Sequence, residues 1–129
     1  MNRGKIYLLR GKGPWRMKGD EAAPTGNEFE SFCEQLDSFL EGYFWALGLK
    51  EVPAYAQGDF FYERTQVIHF KKPSHLTAKL IRALQKWLSA PRRNKWRVVI
   101  PRPNDRSIVV YHDMIALSPH VRSLKQAIS

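Results

Sequence analysis

A single cysteine, Cys33, is all the chain has, so no intrachain disulfide can form, and its place in an apolar run marks it as a packing residue. No stretch approaches the roughly 18 consecutive apolar residues that span a bilayer. The opening Met1-Asn2-Arg3-Gly4-Lys5 leads into only four apolar residues, too few for a signal-peptide core. These absences lead us to expect a protein made and kept in the cytoplasm, with no membrane partner. Phosphate-loop chemistry is also missing. The Gly11-Lys12-Gly13 start is followed by Pro14 and Trp15, with no GK[ST] and no helix opening directly. No pair of His, Cys or carboxylates stands at a recognised metal spacing on one element, and neither a metal nor a cofactor is expected. Internal repeats and low-complexity tracts are lacking too.

Acidic residues are absent from some regions and concentrated in others. Residues 1–19 hold six Lys or Arg and no acid, whereas residues 20–63 hold ten acids against Lys50 alone. Residues 64–129 hold fourteen basic residues against Asp105 and Asp113, and the formal net charge is +9. A chain so polarised presents distinct acidic and basic surfaces when it folds as one unit, and such fields steer partners. The 129 residues, 43% of them hydrophobic, suit one domain spanning 1–129 with one core.

The best-marked element runs from Thr25 to Gly48. Phe29, Phe32, Cys33, Leu36, Phe39, Leu40, Tyr43, Phe44 and Leu47 recur at steps of three and four, which places them on one face of a helix. Thr25 and Glu28 match a capping box, and Gly48 suits the left-handed position past the end. Beside the apolar arc, Glu30, Glu34, Asp37 and Glu41 form one acidic stripe, with Trp45 next to it. The plain reading of that stripe is a solvated face. The sharper one is a contact for a basic partner.

Around this helix the chain reads as short strands and two further helices. Lys5–Arg10 has the composition of a first strand. Gly11–Gly26, with four glycines and two prolines, reads as an exposed connection in which Trp15 stands among Lys12, Arg16 and Lys18. Glu51–Ala56 and Asp59–Phe70 read as strands, bulged near Arg64-Thr65-Gln66. Ser74 is placed to cap a second helix of about 15 residues, with Leu76, Leu80, Ile81, Leu84, Trp87 and Leu88 inward, Lys79, Arg82 and Lys86 outward, and Pro91 past its end. Trp96–Ile100 and Ser107–Tyr111 form the clearest hairpin, closed by Pro101–Arg106. His112-Asp113 reads as a bulge or corner before Met114–Leu117. Ser118-Pro119 is placed to open a short terminal helix with Val121, Leu124 and Ile128 inward. The order of elements predicts an α+β fold: a mostly antiparallel sheet of four to six strands, two longer helices and a short C-terminal helix.

Four histidines are the candidate acid–base groups: His69, His75, His112 beside Asp113, and His120. No spacing forces any two of them together, and no Ser or Cys sits in a nucleophile elbow. A non-enzymatic protein is the expectation; a small metal-free nuclease using His112 with a second histidine is the third-ranked reading. The basic half, with pI ≈ 9.9 overall, offers Lys71, Lys72, Lys79, Arg82, Lys86, Arg92, Arg93, Lys95, Arg97, Arg102 and Arg106, with Trp87 and Trp96 interleaved. Helix-turn-helix, zinc-finger and RNP patterns are lacking. The second reading is therefore a nucleic-acid-binding protein, non-specific in contact, using Lys79, Lys86, Arg92, Arg93 and Lys95.

In size, in α+β architecture and in the closing pattern from Trp96-Arg97-Val98-Val99-Ile100-Pro101 to Ile108-Val109-Val110-Tyr111-His112-Asp113, the chain resembles the immunity proteins of bacterial contact-dependent growth inhibition and related polymorphic toxin systems. The resemblance implies a protein that neutralises one cognate toxin domain by tight complex formation, many such toxins being nucleases with basic clefts. On that implication Glu30, Glu34, Asp37, Glu41 and Trp45 are the partner-binding residues. The net charge of +9 departs from the acidic balance common among inhibitors of nucleases, which leaves the basic half as the alternative contact.

Overall fold

In the computed structural model, residues 26–56 and 64–129 are described, with side chains from Glu28 onward in the first helix. The expected first strand, the connection around Trp15 and the cap at Thr25 lie outside them, as does the segment from Asp59 to Glu63.

The apolar periodicity of the acidic segment becomes helix α1, Gly26–Ala46. Phe29, Leu36, Leu40 and Phe44 are almost completely buried on it, while Phe39 and Tyr43 pack at the border of the core. Leu47 differs from its expected inward place. It lies one residue past the helix end and is 54% exposed. Gly48 follows at φ +91°, a left-handed conformation that costs glycine nothing, and its N–H donates to the Trp45 carbonyl at 2.9 Å.

A five-stranded sheet follows: β1 Ala54–Ala56, β2 Thr65–Phe70, β3 Arg97–Ile100, β4 Ile108–Val110 and β5 Ile115–Leu117. Spatial order matches chain order. Every neighbouring pair is antiparallel except β2 and β3, which run parallel. That exception follows from what joins them: a parallel pair needs a crossover, and helix α2, Ala78–Leu88, is the crossover. The fold is therefore α+β, with a mostly antiparallel sheet. Short helix α3, Leu124–Ile128, ends the chain.

Register separates the two faces of the sheet. Gln66 pairs with Val98 and Val98 with Val110, so these residues and their alternates, Ile68, Ile100 and Ile108, face α1 and α2. Thr65, Val67, Val99 and Val109 lie on the other face and are also buried. Burial on both sides explains why β3 and β4 read as continuous β-branched runs instead of alternating. Trp96 stands just before β3, not within it as expected. Its ring stacks on Phe32 of α1 at 4.2 Å with 5° between the planes.

Four local expectations change. Ser74 falls in a 3₁₀ turn, Pro73–His75, and the cap of α2 is Thr77, whose hydroxyl accepts from the Leu80 N–H at 3.1 Å. The proline at 73 favours the tight turn that delays the helix, which has 11 residues. Ser118-Pro119 opens no helix. Ser123 caps α3 instead, accepting from the Gln126 N–H at 3.1 Å. His112-Asp113 forms the turn of a β4–β5 hairpin, closed by the Tyr111 N–H donating to the Met114 carbonyl at 2.9 Å. The expected bulge near Arg64 is a turn residue at φ +53° directly before β2. Among the described residues no helix is long and apolar enough to cross a membrane.

Candidate functional site

Helix α1 carries the acidic stripe on its solvent side, between β1, which Asp37 meets, and the hollow that Glu34 borders. Glu30, Glu34 and Glu41 are exposed there, and among the described residues they have no ion pair or hydrogen bond. Trp45, one helical turn beyond Glu41, is 56% exposed. Three carboxylates and one indole thus share a solvent-facing strip.

Asp37 belongs to the same line but has another task. Its Oδ1 accepts the Ala56 N–H at 3.2 Å. Tyr55 pairs with His69 while the Lys71 N–H bonds to the Pro53 carbonyl, so Ala56 turns its amide away from β2, and Asp37 meets it. Of the expected partner residues, Asp37 is thereby shared with the fold. It also acts on Cys33. Burial pushes the Cys33 thiol up to about 11, and the Asp37 carboxylate adds to the rise, while Gln66 opposes it by donating from Nε2 to Sγ at 2.6 Å. The buried thiol stays protonated near neutrality and is no nucleophile.

The other flank of α1 faces α2 and the turn after it. Here Phe32, Phe39, Trp87 and Trp96 form one aromatic cluster, with Trp87 5.2 Å from Phe39 and 5.6 Å from Phe32. Cations bracket it. Arg93 lies 4.2 Å over Trp87, and Arg64 lies 5.8 Å over Trp96 while standing 3.5 Å from the Glu28 carboxylate. Burial lowers the pKa of Arg93 without discharging it. Two hollows open along this flank and meet at Gln35. One, of about 750 Å³, is lined by Glu34, Phe39, Gly42, Tyr43, Trp87 and Arg93 among others. The second, of about 560 Å³, includes Arg64, Arg92, Lys95 and Trp96.

The basic residues singled out between Lys71 and Arg106 divide into two groups. Lys71, Lys72, Lys79, Arg82, Lys86, Arg92 and Lys95 are exposed, three of them on the outer face of α2. The others are engaged internally. Arg97 donates to the Thr65 hydroxyl at 2.9 Å and lies over Tyr111. Arg102 donates to the carbonyls of Ile128 at 2.7 Å and Ala127 at 3.3 Å, tying the end of α3 to the loop before β4. Burial, with repulsion from Arg106, lowers its pKa. Arg106 donates to Pro103 and Gln126 carbonyls. Trp96 is 5% exposed with one face on Phe32, so it offers no free surface for a base.

The histidines are dispersed. His69 packs on Tyr55 at 5.4 Å, and His75 meets the edge of Phe44 with a buried Nδ1 that has no hydrogen-bond partner among the described residues. His112 is exposed in its hairpin turn, Nε2 4.0 Å from Asp113 Oδ2, so the turn brings together two side chains that an extended strand would have separated. His120 is exposed in the connection before α3. No contact joins two histidines among the described residues, and none of their His, Cys, Asp and Glu side chains gather in threes to hold a metal.

Sequence reasoning missed the Cys33–Gln66 contact and the paired hollows. The signal for the hollows was Gly42, a glycine in the interior of an otherwise well-formed helix. No family model, no curated protein and no solved structure matches the chain.

Proposed function

We propose that this chain is a non-enzymatic protein-binding protein of the immunity type, which neutralises a cognate toxin domain by covering it with the acidic side of α1. The observation that carries this reading is the shared strip of Glu30, Glu34 and Glu41, unpaired among the described residues, with the 56% exposed Trp45 one turn on. A large aromatic anchor beside charges is the anatomy of a binding hot spot. Carboxylates without internal partners lose little by being handed to a basic cleft, and they speed the encounter. The resemblance to immunity proteins supplies the class of partner: a toxin domain, with a nuclease as the best electrostatic fit. In this account Asp37 holds β1 in place beside the contact and is not its centre.

The test is the affinity of the full chain for the protein it retains, measured before and after Glu34→Lys with Glu41→Lys. A loss of several kcal/mol is expected when close charge pairs are broken and replaced by repulsion. Unchanged affinity would remove the strip from the interface.

The nucleic-acid reading is favoured by one observation, the exposed row Lys79, Arg82 and Lys86 on α2. It predicts affinity falling by roughly 0.7 to 0.9 log units per log unit of salt for each phosphate engaged. A flat salt response would sink it.

A further inference from the structure

Gly42 sits in the interior of α1, where any residue but proline would favour the helix more. Among the described residues nothing explains it. A Cβ built at Gly42 meets no atom within 4 Å, so no close helix contact demands the missing side chain. What Gly42 borders is the larger hollow, with Phe39, Tyr43 and Trp87 as its apolar wall. A glycine there leaves the helix backbone open to close approach from outside.

The same groove changes character along its length. Past Gln35 it becomes basic, with Arg92 and Lys95 exposed and without an ion pair among the described residues. Arg93 stands at the joint. Its guanidinium is held over Trp87 by the bond from Nε to the Trp87 carbonyl at 2.8 Å and a longer one to Gln35 at 3.4 Å. A guanidinium anchored in this way meets an incoming carboxylate with little further ordering cost.

We propose that the groove between α1 and the turn joining α2 to β3 docks an acidic peptide segment of a partner protein, seated by an apolar side chain over Gly42 and by carboxylates on Arg92, Arg93 and Lys95. Charge complementarity selects the acid. The apolar wall favours a peptide over a nucleic acid, because Arg93 lies on Trp87 and Phe32 on Trp96, so neither indole is a free platform for base stacking. Glu34 at the rim further disfavours a continuous row of phosphates. This surface lies on the flank of α1 away from Asp37, and the inference holds whether or not the acidic strip binds a toxin.

The experiment is selection of a random peptide library displayed on phage against the immobilised full chain, with an unrelated protein of equal charge as control. Enriched peptides, labelled and synthesised, are then titrated against wild type, Gly42→Leu, and Arg92→Glu with Lys95→Glu. The expected result is enrichment of sequences joining Asp or Glu to Leu, Phe or Trp, with binding weakened about tenfold or more in both variants. Gly42→Leu separates blocking from unfolding, since the leucine projects into open space and a thermal melt should show stability kept or raised. No enrichment over the control, enrichment of neutral peptides, or equal affinity for the variants would overturn the proposal. So would binding of a single-stranded oligonucleotide that both variants abolish while no peptide is selected.

Discussion

Arg93 lies 4.2 Å over the Trp87 ring and donates from Nε to the carbonyl of that same tryptophan at 2.8 Å. One side chain thus grips another residue by its ring and its backbone at the end of α2. Through Trp87 the grip reaches Phe32 and Phe39 on α1, so the turn after α2 is locked to the opposite helix.

Arg93→Ala should therefore destabilise the fold by about 1–3 kcal/mol, combining a partly desolvated cation–π contact with a hydrogen bond from a charged donor. Arg93→Lys should recover only a part, because an ammonium cannot lie flat on the indole and reach the carbonyl with one planar group. Chemical denaturation of the three proteins measures both. Equal stability of all three would show the contact to be superficial.

Cys33 gives a pH-dependent expectation. Its thiol is pushed up to about 11 in the folded chain against 9.0 for the ordinary group. The unfolded chain therefore loses this proton first as pH rises, and the contribution of Cys33 to stability is intact below pH 9.0 and falls between 9.0 and about 11. The loss is at most about 3 kcal/mol. Unfolding free energies of wild type and Cys33→Ala over that range should converge as pH rises. Near neutrality the thiol should react with an aromatic disulfide reagent only as fast as the protein opens, and rapid labelling would contradict its burial.

Asp37 separates fold from contact within one acidic stripe. Asp37→Ala leaves the Ala56 N–H without its acceptor and should cost about 0.5–1.5 kcal/mol while speeding hydrogen exchange at Ala56. Glu34→Lys, with no internal partner among the described residues to lose, should stay within about 0.5 kcal/mol of wild type. Exchange rates at Ala56 read the difference directly. Equal rates in wild type and Asp37→Ala would mean that the edge is held by something else.

The start of α2 offers a comparison between two hydroxyls. Thr77→Ala removes the oxygen that accepts from Leu80 and should cost about 1 kcal/mol. Ser74→Ala, in the 3₁₀ turn, should change stability by less than about 0.5 kcal/mol. Thermal melts rank them, and the reverse order would restore Ser74 as the cap.

These two serine and threonine positions show what the sequence could convey. Periodicity identified α1 from Phe29 to Phe44, because an apolar side chain every three or four residues leaves one helical face to bury. The same rule located α2 but not its start, since Ser74 and Thr77 are both acceptable caps and only the geometry after Pro73 chooses between them. The β3–β4 hairpin was legible from its branched residues and its proline-rich turn. The parallel pairing of β2 with β3 is a matter of sheet order, which no local pattern encodes. For the surface, the spacing of Glu30, Glu34, Asp37 and Glu41 placed them on one stripe, but only packing shows that Asp37 meets Ala56. The groove joins residues 35, 42, 87 and 93, which are close only after α2 folds against α1.

The most direct measurement of the central claim is a pull-down by the tagged chain from its source organism, at low and high salt and after nuclease treatment, beside the variant Glu30→Lys, Glu34→Lys, Glu41→Lys. One stoichiometric protein should be retained by wild type without nucleic acid and lost from the variant. Retention of mixed RNA or DNA that high salt removes, or of the same protein by both chains, would contradict it.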